Sequence, residues 1–463
     1  MNFFLIISSI TIFLAIFSYK ILTKLGIPVL LIFLCFGLCF SAIKITDINL
    51  IKDILSISLG FIIFYSGFCI NWKESKKIAI PAISLSIFGV LLTAIFICLF
   101  CHYILNIDIK ESFLIGSVIA STDAASIFSI LHSKNSQLKE NTAELLEIES
   151  GSNDPMSFVL VVMAIAILQN ESIDFATILF LKQIFFGVII GFLFAKLSTY
   201  ILKKTTIITY SNESLFIIAQ IFLVYVFSES INANPFLALY IFGIILGNSK
   251  IQNQSALTMF FEGISKFTQI GIFFALGLLA SWDGIIKIFK SGSFIFLFLT
   301  LIARPVAVFL ILTIFKSSFK QILLTSIAGL RGVASIVFAI FAINSKIKLD
   351  FDLYHLVFFI SLFSVAIQGT FLPIVAKRIS MTDKFYDLKN SFLNLQEECA
   401  IKVMNVTIPA KHFWIGKFVK DIDYFGKNAK ILFIERNGQK INLNSRTKIL
   451  QNDIITYTLK KLN

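Results

Sequence analysis

The chain has 463 residues, 57% hydrophobic and 14% charged, with 52 Phe. Soluble domains carry about a quarter of their residues as charged side chains, so this composition excludes a soluble globular protein and fits a chain that faces lipid. The net charge of +13 is spread over loops and a C-terminal tail instead of forming one patch, which argues against a nucleic-acid partner.

A spanning helix needs about 20 mostly apolar residues. In chain order, such runs fall at 3–22, 26–43, 48–70, 78–105, 111–132, 142–168, 175–201, 213–231, 235–248, 256–281, 284–316, 320–344 and 353–378. They predict an all-α polytopic membrane protein with about 13 transmembrane helices. The first run has no basic n-region, because Met1-Asn2 leads straight into Phe3, and it is expected to be a retained helix. Loops after odd-numbered runs hold 14 Lys/Arg and the intervening loops hold 7. The positive-inside rule then places the N-terminus outside and the C-terminus in the cytoplasm, in a cell (inner) membrane. Cys98, Cys101 and His102 have a metal-like spacing, but no second pair completes a four-ligand site. They are expected to be apolar filler at a helix end.

The texture changes after Arg378. Residues 379–399 read as a polar linker between a membrane domain, 1–378, and a soluble domain, 400–463. Ala400–Ile408 alternates like a strand, Lys430–Glu435 is short and apolar, Asn437-Gly438 is a hairpin signal and Asp453–Leu459 is β-rich. A small cytoplasmic α+β domain is expected there.

A charge at the bilayer centre costs at least about 2.5–3.5 kcal/mol, so ionisable residues inside the apolar runs must be paired or face water. Five stand out: Asp123, Glu149, Asp154, Arg304 and Arg331. Asp123 lies mid-run in Ser121-Thr122-Asp123-Ala124-Ala125-Ser126, a segment of small and hydroxylated residues that predicts a helix break opening onto a cavity. Glu149-Ser150-Gly151-Ser152-Asn153-Asp154-Pro155 puts Ser150 and Asp154 on one helix stripe and Glu149 and Asn153 on the next. A loop reaching to Met156 is the alternative. Arg331 sits mid-run in Gly329-Leu330-Arg331-Gly332 and needs an anion, for which Glu149 is the best candidate, giving a structural ion pair. Arg304 is expected to snorkel or cap a neighbouring helix. Asp154 and Asp123, with Thr122, Asn153 and Ser150, make an oxygen-rich cluster suited to a hard cation. There a proton and a cation could compete for one carboxylate.

These residues resemble the monovalent cation/proton antiporters of the sodium/proton exchanger superfamily. Thr122-Asp123 is similar to the signature of the family's unwound crossing helix, and Glu149-Ser150-Gly151-Ser152-Asn153-Asp154 to its Glu-Ser-x-x-Asn-Asp motif. Phe236 to Tyr240, Gly247-Asn248, Phe273 to Leu279, Ala303-Arg304-Pro305 and Gly329 to Gly332 follow in the family's order. The resemblance implies inverted repeats with two broken crossing helices, a homodimer and alternating access. It makes Asp154 the carboxylate that takes cation or proton. Asn153 before it implies electroneutral exchange. Where relatives often carry an acid on the third helix, this chain reads Tyr65-Ser66-Gly67.

The tail, with Ile415-Gly416-Lys417 and Gln451-Asn452-Asp453, resembles a TrkA C-terminal regulatory domain. That implies a cytosolic small-molecule regulator and tilts the cargo toward K⁺ over Na⁺. No enzyme activity, cofactor or metal beyond the transported cation is expected. A ligand-gated cation channel and an ion-sensing membrane receptor are the alternatives; no Thr-Val-Gly-Tyr-Gly-like filter supports the channel.

Overall fold

The computed structural model describes residues 13, 30–41, 48–123, 126–127, 137–204, 208, 212–249, 251, 253–345, 347–383, 401–408, 414–419, 429–436, 439–441 and 447–460. The run expected at 3–22 therefore lies outside the described residues, except for Phe13.

Among the described residues, the helical segments longer than four residues are α1 (Leu30–Cys39), α2 (Ile48–Cys69), α3 (Ala79–Leu105), α4 (Ile109–Ile119), α5 (Thr142–Leu168), α6 (Ile173–Lys204) and α7 (Glu213–Ser230). They continue with α8 (Pro235–Gly247), α9 (Gln254–Leu279), α10 (Trp282–Ile314), α11 (Phe319–Ile327), α12 (Val333–Asn344) and α13 (Leu353–Arg378). Among the described residues, eight helices are long and apolar enough to cross a membrane: α2, α3, α5, α6, α7, α9, α10 and α13. The segments are not one-to-one with crossings, because α11 and α12 are two halves of a single apolar run.

Local chemistry sets the ends. Asn106, with φ 53°, terminates α3 in the left-handed conformation. Asn234 caps α8 by accepting the amides of Phe236 and Leu237, with Pro235 at the first helical position. Ser281 and Ser318 cap α10 and α11. The expected run at 142–168 is one helix, α5, with Pro155 inside it, so the loop alternative is set aside. Glu147 is half-buried on this helix.

Glycines bring helices to backbone distance, most extensively along two seams. A β-carbon on Gly37 would overlap the carbonyl of Phe274, and one on Gly277 that of Leu34, so α1 and α9 touch main chain to main chain. Gly67, Gly243 and Gly247 do the same for α2 and α8. Without a hydrophobic drive between helices in lipid, such close van der Waals contact is a principal source of association.

Asp352 caps α13 through the amide of His355, and its Oδ2 lies 2.6 Å from His355 Nδ1. Nε2 of His355 accepts from the Ser281 amide at 3.0 Å, which fixes the imidazole proton on Nδ1. Burial opposes ionisation of Asp352, but hydrogen bonds from the His355 ring and amide outweigh it and hold the carboxyl below its ordinary range. A depressed carboxylate contributes stability at neutral pH that is lost as pH falls through the folded pKa. Asp352→Asn is therefore expected to melt below the parent near neutrality. The gap should close below about pH 4, the unperturbed range. Melting curves against pH in detergent check it; parallel curves at all pH values would refute it.

Chain contacts divide the protein into Met1–Asp387 and Leu388–Asn463. The start of the expected linker belongs to the first unit: β1 (Gln137–Leu138) pairs antiparallel with β2 (Thr382–Asp383). In the second unit, β3 (Ile401–Thr407), β4 (Ala429–Arg436), β5 (Gln439–Ile441) and β6 (Ile454–Lys460) form an antiparallel sheet of order β3-β6-β4-β5. Arg436 pairs with Gln439; the hairpin signal expected at Asn437-Gly438 lies outside the described residues. Buried Asp453 takes both Nε and Nη2 of Arg436, at 2.7 and 2.8 Å. The described residues of this unit contain strands and no α-helix.

Candidate functional site

The two polar mid-run segments are both interrupted helices. α4 ends at Ile119, Ser121–Asp123 are not helical, and Ser126 and Ile127 are helical again. α11 ends at Ile327, and α12 begins at Val333. The breaks meet: the Asp123 amide donates to the Leu330 carbonyl at 2.9 Å. Gly332 lies flat against Asp123, and any β-carbon there would overlap its carboxylate.

A broken helix inside lipid must satisfy its freed backbone groups internally. The Ser121 carbonyl accepts from Arg331 Nη1 at 2.6 Å. The Thr122 amide donates to Asn153 Oδ1 at 3.4 Å, and the Thr122 carbonyl accepts from Ser150 Oγ at 2.6 Å. Ser150 and Asn153 thus bind the main chain of the first break to α5. Asp123 turns to the segment after the break, accepting the Ser126 amide at 3.1 Å and its hydroxyl at 2.6 Å. In this structure Asp123 acts as a helix cap.

Asp154 stands apart from these committed groups. It is half-buried, whereas Thr122, Asn153, Ser150, Glu149 and Asp123 are all buried. The hydroxyl of Ser121 donates to its Oδ1. Gly151, one turn before it, packs on Tyr240 and on Ser66, so Ser66 lies against the site helix. Asn234 Nδ2 donates to the Pro155 carbonyl at 2.7 Å, tying the start of α8 to the same stretch.

The expected Glu149–Arg331 pair is corrected. Glu149 Oε1 lies 3.1 Å from Arg304 Nη2, with the two side chains 1% and 2% exposed. Arg331 is instead turned to the Ser121 carbonyl. The reason lies in α10, where a π turn, Leu299–Ala303, immediately precedes Arg304. That arginine reaches inward across Gly329; it neither snorkels nor caps. Asn153 Nδ2 adds a bond to Glu149 Oε1 at 2.9 Å, and the Thr122 hydroxyl adds a longer one at 3.4 Å to Oε2. The sequence marks Arg304 as an intramembrane charge without giving it a partner, and Ser121 and Ser126 are not singled out as site residues. The mid-run position of Arg304 and its place in Ala303-Arg304-Pro305 were the signals for that arginine.

The structure brings Asp154, Asp123, Thr122, Asn153, Ser150, Glu149 and Arg331 to one crossing, with Arg304 added. No metal-holding group of His, Cys, Asp and Glu occurs among the described residues. Interrupted helices that cross at a polar site, inside a multi-pass helical bundle, are the architecture in which secondary transporters hold their substrates.

The chain belongs to the sodium/hydrogen exchanger family, whose transmembrane region matches residues 9–378. It is 28% identical to the K(+)/H(+) antiporter NhaP2 of Shewanella baltica over 445 residues, covering 94% of this chain and 77% of that one. It is 25% identical to the probable Na(+)/H(+) antiporter 2 of Methanocaldococcus jannaschii over 308 residues, covering 62% and 72%. The fold is similar to that of the sodium proton antiporter MjNhaP1 of the same archaeon, with a TM-score of 0.68 at 21% identity over 81% of this chain and 98% of that one.

Proposed function

We propose that the protein is a secondary antiporter that exchanges one monovalent cation for one proton, with both competing for Asp154. The observation that carries the reading is the contrast at the crossing. Asp154 is half-buried and held by a neutral hydroxyl, while the carboxylate of Glu149 is buried against a guanidinium. A group that must release and rebind its ligand needs that freedom.

Charge balance supports electroneutral exchange. The crossing holds Glu149, Asp123 and Asp154 against Arg304 and Arg331, an excess of one negative charge when all are ionised. One proton or one monovalent cation on Asp154 cancels it. The two loaded forms then carry the same charge and respond equally to membrane potential. Hydroxyl, carbonyl and carboxylate oxygens are the ligands that hard cations favour.

K⁺ is favoured over Na⁺ as cargo, by the likeness to the K(+)/H(+) antiporter of Shewanella baltica and the likeness of the tail. The topology follows the basic loops, with the N-terminus outside and residues 400–463 in the cytoplasm, and the working unit is a homodimer. The tail serves as a regulatory domain of the TrkA C-terminal type, binding a small cytosolic molecule; deletion of 400–463 should leave exchange intact but change its dependence on conditions.

The test is reconstitution in proteoliposomes carrying an internal pH dye. An imposed K⁺ or Na⁺ gradient should drive proton movement at a rate unchanged when membrane potential is set to zero or reversed. Cation flux with no coupled proton would indicate a channel, and no flux a receptor. Comparison of the two ions under identical gradients decides the cargo.

A further inference from the structure

α13 contains a π turn, Ser364–Gln368, which lies beside the second helix break. Its first and last residues are polar and buried in an otherwise apolar span, Ser364 at 0% and Gln368 at 5% exposure. Ser364 Oγ accepts the amide of Arg331 at 2.9 Å and donates to Gln368 Oε1 at 2.5 Å. Buried polar groups in lipid are retained where they meet partners that the chain needs satisfied, and π turns recur at functional positions.

The consequence is specific to one peptide unit. The bond between Leu330 and Arg331 has its carbonyl on the Asp123 amide and its N–H on Ser364. One polar end of that plane is therefore fixed from the first helix break and the other from α13. The Arg331 side chain leaves the same point to hold the Ser121 carbonyl, and the Ser121 hydroxyl donates to Asp154. A short polar path thus runs from α13 to the exchanging carboxylate. No charge or motif marks Ser364 or Gln368 in the sequence.

We propose that Ser364 and Gln368 are positioning residues for cation binding at Asp154, acting through the Leu330–Arg331 peptide and Ser121. This rests on the antiport reading above. Ser364→Ala leaves the Arg331 amide without its acceptor. The apparent KM for the cation should rise about two- to tenfold, the factor to which the net worth of one hydrogen bond converts, with the maximal rate within about twofold of the parent. Ser364→Thr, which keeps the hydroxyl, should restore the parental KM. Gln368→Leu should raise KM in the same direction.

The experiment measures exchange in proteoliposomes over a range of K⁺ and Na⁺ concentrations. In parallel, it measures protection of the detergent-solubilised full chain against melting by the same ions. Weaker cation protection in Ser364→Ala, recovered in Ser364→Thr, supports positioning independently of transport. If the parent exchanges ions and Ser364→Ala keeps the parental KM and cation protection while only melting earlier, the pair is merely structural and the proposal fails. If the parent shows cation protection but no exchange, the antiport reading fails, and the shift in protection still decides the positioning role. Should Ser364→Ala not fold, Gln368→Leu decides by the same two measurements: raised KM and weakened protection support the proposal, and parental values overturn it.

Discussion

Asp154→Asn is expected to reduce cation-driven proton movement to the background of protein-free liposomes, while the protein melts close to the parent. The amide has nearly the shape of the carboxyl, and its oxygen still accepts from the Ser121 hydroxyl. Asp154 has no ion-pair partner among the described residues that its loss would strand. What disappears is the ability to take up and release a proton and the charge that attracts a cation. Exchange at the parental rate would remove Asp154 from the centre of the mechanism. A collapse in melting temperature would show that its carboxylate serves the fold.

The second large effect concerns stability. Glu149→Ala and Arg304→Ala are each expected to destabilise the protein by about 3–5 kcal/mol, because removing one member of a buried pair leaves the other charge uncompensated. Removing both should cost less than the sum of the single changes. Arg331→Ala should cost less, about 1–3 kcal/mol, since its side chain is held by a carbonyl hydrogen bond and loses no ion pair. Thermal melting of purified variants checks the ranking. A neutral Arg304→Ala beside a severe Arg331→Ala would reinstate the pairing expected from sequence.

The elements that were legible in the sequence are those that depend on local patterns. α5 was expected at 142–168 and α13 at 353–378, and both occupy those residues, because length and apolarity define a span. The interruption around Asp123 was readable from the polar and small residues in the middle of a long apolar run, whereas a second break, around Arg331, was implied only by the family resemblance. Which arginine meets Glu149 was not readable. Arg331 was assigned by elimination among charges, whereas the pairing depends on where a π turn rotates Arg304. Nothing in Leu299–Ala303 marks that turn: its residues are Leu, Thr, Leu, Ile and Ala. Asp123 shows the same limit. Its place in the cluster was evident, but its use as a cap for Ser126 depends on how the chain leaves the break.

The glycine seams separate two kinds of constraint on this sequence. At Gly67, Gly243 and Gly247 a β-carbon would collide with main chain on the facing helix, and main chain cannot be traded for a smaller side chain. Few compensating substitutions are open at those positions. Asp154, half-buried and held by a hydroxyl, is under no such steric rule. In a pool of random variants selected only for membrane insertion and yield, the three glycines should therefore stay fixed while position 154 drifts toward neutral residues. Selection for ion flux would hold all four, so the difference between the two pools would map which positions maintain the fold and which do the carrying.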